Sequence, residues 1–364
     1  MSLGAVSLFS GAGGLDVGFE LAGVELLFAN ELDHDAAESW RLNRPDAVQT
    51  MAEGDICDYQ ERLKELASET DVVFGGPPCQ GFSVAGKMDP NDERSKLVWA
   101  FMSSVKTLSP KLFVMENVKA LGALAKWSDV RTRLIQLAEE SGYGHASFIL
   151  NAADYGVPQA RERFFFVGLK DAPCNWLHAA IAKHLENHRL PLITVREAFA
   201  GLPRFGMPGN DKGSTAEIRL AKNPILRKSP YDGSLLFNGH GRPIKLDSVA
   251  KTIPAQMGGN HTPIVDQALI DDPSGFDWVT NYHERLTRGL ITPDEAQLEI
   301  PSTLRRLSIA EAAALQSFPD GYLFYGRQNK QYRQIGNAVP CKLAFAVAAS
   351  AISALVDFDH KLAK

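Results

Sequence analysis

The sequence predicts an α/β fold: a doubly wound, mostly parallel sheet joined to a second, smaller loop-rich domain. Three observations predict it. Short apolar runs alternate with helix-like stretches through the first half. A glycine turn, Phe9-Ser10-Gly11-Ala12-Gly13-Gly14, follows the first such run. The alternation stops after Gly168 and regular helical spacing returns near Ser308.

The strand-like runs are residues 5–9, 25–30, 72–74, 112–116, 145–150 and 163–168. Residues 36–42, 60–67, 96–106 and 130–139 have helical spacing between them. In such sheets the chemistry gathers at the carboxyl ends of strands. Residues 169–303 contain pieces such as RFGMPGNDKGS and AQMGGNH, which read as loops. The chain closes with an apolar helix from Pro340 to Leu355, and proline suits its first turn. Three segments follow: 1–168, 169–304 and 305–364, the last returning to the first.

The chain has 364 residues, 45% hydrophobic and 22% charged, which is ordinary for a globular protein. No uninterrupted apolar run reads as a bilayer span, and no basic, signal-like leader opens the chain. A cytoplasmic location is expected. The net charge of −5 is uneven: −9 over residues 1–168, zero over 169–300 and +4 over 301–364. That asymmetry is compatible with a polyanion bound in a cleft. The cysteines Cys57, Cys79, Cys174 and Cys341 form no CxxC pair and no zinc spacing, so no metal is expected. Cys57, Cys174 and Cys341 read as small buried hydrophobes.

Cys79 differs. It sits in Gly75-Gly76-Pro77-Pro78-Cys79-Gln80-Gly81, after the run 72–74. Two glycines and two prolines forbid a helix before it. A thiolate is a nucleophile when its surroundings favour ionisation. Other strand ends supply partners. Glu116 leaves an apolar run in Glu116-Asn117-Val118, and a carboxyl against apolar walls tends to stay protonated. Arg161 and Arg163 precede another strand. The glycine turn lets backbone approach a ligand. Its G-x-G-x-x-G match fails at Asp16. Glu31 and Asp55 end the second and third strand regions. Together these suggest an adenosine-containing cofactor without naming it.

These motifs, in this order, resemble those of the DNA (cytosine-5)-methyltransferase family, of the prokaryotic restriction–modification type. FSGAGG resembles its methyl-donor loop, GGPPCQGFS its catalytic Pro-Cys-Gln motif, and Glu116-Asn117-Val118 its Glu-Asn-Val motif. QARER, RRLSIAEAAALQSFPD (with Ser308 where threonine is more usual) and Gln334-Ile335-Gly336-Asn337-Ala338-Val339-Pro340 match the later ones. The resemblance covers most of the chain outside about 169–304.

The resemblance implies a Rossmann-like S-adenosylmethionine-dependent methyltransferase domain and a target recognition domain over 169–304. It implies a covalent bond from Cys79 to C6 of a flipped-out cytosine, Glu116 at N3, and Arg163 with Arg161 at the carbonyl oxygen. Phe9, Gly11, Gly13, Gly14, Glu31, Leu32, Asp55, Ile56, Pro78, Leu97, Asn337 and Ala338 would bind S-adenosylmethionine. Residues 83–96 resemble the loop that closes over DNA. Double-stranded DNA is the implied partner of a monomer, with a cognate restriction endonuclease as a functional counterpart and no membrane. Arg219, Lys222, Arg227, Lys228, Arg242, Lys245 and Lys251 are basic candidates for DNA contact. A nicotinamide dehydrogenase would use the glycine turn and Glu31 but leave PPCQGFS, ENV and QARER unexplained. A transfer-RNA cytosine methyltransferase shares most motifs, but its Cys-Phe-Thr tripeptide is not found. A DNA-binding relative without catalysis would not need Cys79, Glu116 and Arg163 together.

Overall fold

The computed structural model describes residues 2–78 and 96–363. They form two compact units. The first comprises Met1–Gly156, Arg161–Pro191 and Ala338–Lys364; the second comprises Val157–Ala160 and Leu192–Asn337.

The first unit is built on a seven-stranded sheet. Its strands are β1 (Leu3–Leu8), β2 (Val24–Glu31), β3 (Met51–Glu53), β4 (Val72–Gly75), β5 (Leu112–Val118), β6 (Tyr143–Asn151) and β8 (Glu162–Lys170). The two-residue β7 (Gln159–Ala160) belongs to the second unit. The strand order is β3-β2-β1-β4-β5-β8-β6. The pairs from β3 to β5 are parallel, and β8 runs antiparallel to both β5 and β6. All four residues of β4 are buried, as are the first six of β5. Strands covered on both faces lose the in–out alternation and read as continuous apolar runs. The order reverses between β1 and β4, so a crevice opens outside their carboxyl ends.

On one face, Val73, Phe113 and Phe166 pack with Phe101, Met102 and Leu134. On the other, Phe19 of the Gly14–Leu21 helix stacks on Phe74 with ring centroids 3.8 Å apart. The Cys341–Leu362 helix packs on that same helix. A Cβ on Gly18 would meet Ala344, so close approach requires glycine there. The first unit is therefore discontinuous in sequence, as the late motifs imply.

Three features refine the sequence reading. The closing helix is apolar and long enough, by length and composition, to cross a bilayer; 67% of its apolar window is buried in the fold, against the sheet helices. The unit boundaries fall elsewhere than at 168 and 304. The Cys174–Asn187 helix stays with β6, where His145 N–H reaches Cys174 Sγ at 3.3 Å and Phe148 stacks on His178 at 4.9 Å. Residues 305–337 belong to the second unit, because β13 (Leu304–Arg306) pairs with β12 (Ile264–Asp266).

Third, the loop-rich second unit also has short regular elements of its own. Besides β12 and β13 it contains the antiparallel pair β9 (Leu220–Ile225) and β10 (Leu235–Phe237), and β11 (Ala250–Lys251) pairs with β7. Trp278 and Tyr282 of the Trp278–Thr287 helix pack with Leu236, Phe237 and Ile264 into its own core. Its strands, two to six residues long, are too short for an alternation to register in sequence.

Candidate active site and cofactor pocket

The glycine turn starts where β1 ends. Phe9 adopts φ 57°, a left-handed conformation uncommon for a non-glycine residue, and Gly11 and Gly13 follow at 56° and 88°. Ser10 N–H donates to Asn30 O at 2.9 Å, and Gly13 N–H donates to Ser10 O at 2.9 Å. Gly14 then opens the helix. A Cβ built on Gly11 meets nothing within 4 Å, so its open side faces space a ligand can enter.

Glu31 closes β2 beside this turn. Its Oε2 accepts from Gly11 N–H at 2.7 Å and its Oε1 from Asp33 N–H at 2.8 Å. Burial pushes its carboxyl above the ordinary range, although the backbone donors at Asp33, Gly11 and Leu32 pull the other way. A carboxylate has about four acceptor sites, so lone pairs remain for hydroxyl groups. Leu32 is 68% exposed beside it. Asp55 caps the short Ile56–Tyr59 turn, accepting from Cys57 N–H at 2.9 Å. Ile56 is buried in the core cluster, against which Phe9 also packs. Cys57 is exposed, not buried as expected, and Cys174 is half-buried; Cys341 is buried.

The second half of the site lies at the ends of β4 and β5. Glu116 is buried, and its Oε1 pairs with Arg163 Nε at 2.9 Å. Burial raises the Glu116 pKa; the charges of Arg163 and then Arg161 lower it, with burial dominant. Arg161 is 1% exposed and so acts on Glu116 through its charge rather than at an open surface. A Cβ on Gly76 would lie 3.0 Å from Glu116 Oε2. Asn117 donates Nδ2 to Pro77 O at 3.1 Å. Two neighbouring residues of β5 thus hold the stem that leads to Cys79. Cys79 itself, with residues 83–95 of the expected DNA-closing loop, lies outside the described residues. Pro78 is exposed, and Leu97 is half-buried in the first turn of the Lys96–Leu108 helix.

The structure gathers Phe9, Gly11, Gly13, Gly14, Glu31 and Leu32 at one end of the sheet, with Asp55 and Ile56 just past β3. Ala338 belongs to the first unit and is half-buried; Asn337 is exposed and ends the Gln328–Asn337 helix of the second.

Three supporting residues were not assigned a role from sequence. Asn30, 2% exposed, donates Nδ2 to Ala52 O and Gly54 O at 3.1 and 3.0 Å, which fixes the approach to Asp55. Asp16, fully buried, accepts from Trp40 Nε1 at 2.9 Å beneath the glycine turn. Asn117 was visible only as the middle of a motif. The fold also brings His34, Glu38 and Glu53 together, which sequence spacing did not reveal. Arg41 pairs with both carboxylates there, at 2.5 and 3.1 Å, so the group is an ion-pair network with its own cation.

The model of the C-5 cytosine-specific DNA methylase family matches residues 3–353. The chain belongs to that family. It is 32% identical to the Type II methyltransferase M1.HphI of Haemophilus parahaemolyticus, over 96% of this chain and 86% of the relative. It is 33% identical to the Type II methyltransferase M.FnuDI of Fusobacterium nucleatum, over 97% and 95%. Among solved structures, the Dnmt2 methyltransferase of S. pombe has the same fold, with a TM-score of 0.64 and 16% identity over 98% of each chain. The mixed sheet and its flanking helices are thus an α/β methyltransferase fold, and the enzyme is a DNA cytosine-5 methyltransferase.

Proposed function

We propose that this protein is a site-specific methyltransferase of a restriction–modification system, using S-adenosylmethionine to methylate C5 of a flipped-out cytosine in duplex DNA. The observation that carries the reading is Glu116: a buried carboxyl at a strand end, paired with Arg163 and set against Gly76, three residues before Cys79. Its similarity to Type II methyltransferases supports the restriction–modification assignment.

The cofactor fits the residues at β1 and β2. Gly11 leaves its side open, and Glu31 retains acceptor capacity for two hydroxyls. Phe9, Gly13, Gly14, Leu32, Asp55, Ile56, Pro78, Leu97, Asn337 and Ala338 complete the proposed set. When bound, S-adenosylmethionine supplies an activated methyl group on a sulfonium sulfur.

The chain's own groups do the rest. Carbon 5 of cytosine is a poor nucleophile until a thiolate adds at C6. Cys79 is the group that adds, forming the covalent Cys79–C6 bond. Glu116, whose carboxyl burial pushes toward the neutral form, donates a proton to N3 so that charge does not accumulate on the ring. Arg163 orients Glu116 and is the proposed contact to the cytosine carbonyl oxygen. Arg161 tunes the Glu116 carboxyl from within. Loss of the C5 proton then expels the thiol. A stacked base shields both ring faces, so the cytosine must leave the duplex at a cost of about a few kcal/mol. The second unit is the proposed target recognition domain, and a cytoplasmic location follows from the DNA substrate.

The test is methyl transfer from labelled S-adenosylmethionine to a mixed-sequence duplex library, with the product base mapped. The reading expects 5-methylcytosine within one short sequence. Label on a ring nitrogen, or on RNA alone, contradicts it.

A further inference from the structure

The second unit contains a buried guanidinium with an unusual number of acceptors. Arg306 is 2% exposed. Its Nε donates to Ala216 O at 3.1 Å, and its Nη1 to Thr262 O at 2.8 Å and Asn260 O at 3.2 Å. Its Nη2 donates to Asn238 Oδ1 at 3.1 Å. A buried guanidinium is tolerated only when its five donors find partners. Here the partners are backbone and side-chain oxygens from separate loops, so Arg306 ties those loops together.

Two of the loops are glycine-rich and lie flush. A Cβ on Gly239 would sit 2.5 Å from Asn260 O, and one on Gly241 would sit 2.5 Å from Arg306 Nη1. Gly241 N–H donates to Asn260 O at 3.0 Å, and Ile264 N–H donates to Arg242 O at 2.9 Å. Side chains at the glycines would force the loops apart. The result is a rigid ledge that presents the residues between them. His240 and His261 meet edge to face with ring centroids 4.9 Å apart. Arg242 donates Nη1 to His240 O at 3.2 Å.

Arg242 has no acidic partner among the described residues, unlike Arg219, paired with Glu217, and Lys251, paired with Asp232. Partial burial pulls its guanidinium below the usual value, and no carboxylate offsets that. A cation partly stripped of water, without a counter-charge, on a rigid and partly exposed ledge is prepared for an external acceptor.

Resting on the reading of this chain as a DNA methyltransferase, we infer that Arg242, flanked by His240 and His261, reads a guanine in the target sequence. Guanine offers O6 and N7 side by side in the major groove, and a guanidinium fork fits both. The loop clasp holds the fork in register. A phosphate contact would need only charge and would accept lysine.

The experiment methylates one mixed-sequence duplex library with wild type, Arg242→Ala and Arg242→Lys, then maps the modified sites. The wild type should show a strong G·C preference at one position besides the methylated pair. That preference should fall about 5- to 150-fold in both variants, other positions being kept. The salt slope of DNA binding should stay unchanged in Arg242→Lys. Uniform weakening across all sequences in Arg242→Ala, recovered by Arg242→Lys, assigns a phosphate contact and overturns the inference. So does an unchanged preference in both variants. Wild type that methylates no duplex at all overturns the methyltransferase reading, and this inference with it.

Discussion

At Glu116 burial and charge act in opposite directions. Burial favours the neutral acid, and Arg163 and Arg161 favour the carboxylate; burial prevails, so the folded pKa lies above the ordinary 4.5. The linkage sign follows. A raised carboxyl pKa contributes stability that is complete below 4.5 and lost as pH rises through the folded value. Activity that needs the protonated form falls in the same direction. The wild-type pH–rate profile should therefore carry an alkaline inflection that Glu116→Gln removes, with kcat reduced by about 10²-fold or more. An unchanged profile in that variant would place the proton elsewhere. Asn117→Ala, which releases the Pro77 carbonyl, should lower kcat with little change in cofactor affinity, because Asn117 touches the thiol stem and not the glycine turn. Glu116 was legible in sequence only in company: alone it reads as a capping or salt-bridged acid, but Cys79, Arg161 and Arg163 also fall at strand ends. Asn30 and Asp16 were not, because their partners are defined only once β2 meets β3 and the Gly14–Leu21 helix meets Trp40.

Among the elements, the sheet strands were legible and the second unit's were not. Runs such as 112–116 are buried on both faces and so stand out; β7 and β11 have two residues each and exist only by pairing with each other. The Ile309–Leu315 helix shows a local signal that survived. Ser308 and Glu311 form a capping box, with Ser308 Oγ accepting from Glu311 N–H at 3.0 Å and Glu311 Oε2 from Ser308 N–H at 2.9 Å. Ser308→Thr should be tolerated, and Ser308→Ala should cost about 1 kcal/mol in urea unfolding. Gly18→Val is the harsher change: its side chain enters the backbone of the Cys341–Leu362 helix, and overpacking of this kind costs about 1–3 kcal/mol. Equal midpoints for wild type and Gly18→Val would mean that the two helices do not pack as described.

In the whole molecule, a segment distant in sequence completes the first unit. Residues 338–364 supply the helix that covers one face of the sheet, so a chain ending at 337 should lose cooperative thermal unfolding and cofactor binding together. A truncated chain that still melts cooperatively and binds S-adenosylmethionine would contradict that dependence. The discontinuity was foreseen from motif order alone, while the division points were not, since they depend on which loops Arg306 gathers and on β12 pairing with β13. The central claim is chemical: Cys79 attacks cytosine while Glu116 manages the proton. It is tested most directly by trapping on duplex DNA bearing 5-fluorocytosine, with S-adenosylmethionine present. Fluorine cannot leave as the proton does, so the account predicts a denaturation-resistant protein–DNA adduct with wild type and none with Cys79→Ala. An adduct that persists in Cys79→Ala, or a wild type that methylates ordinary cytosine yet never traps, would contradict it.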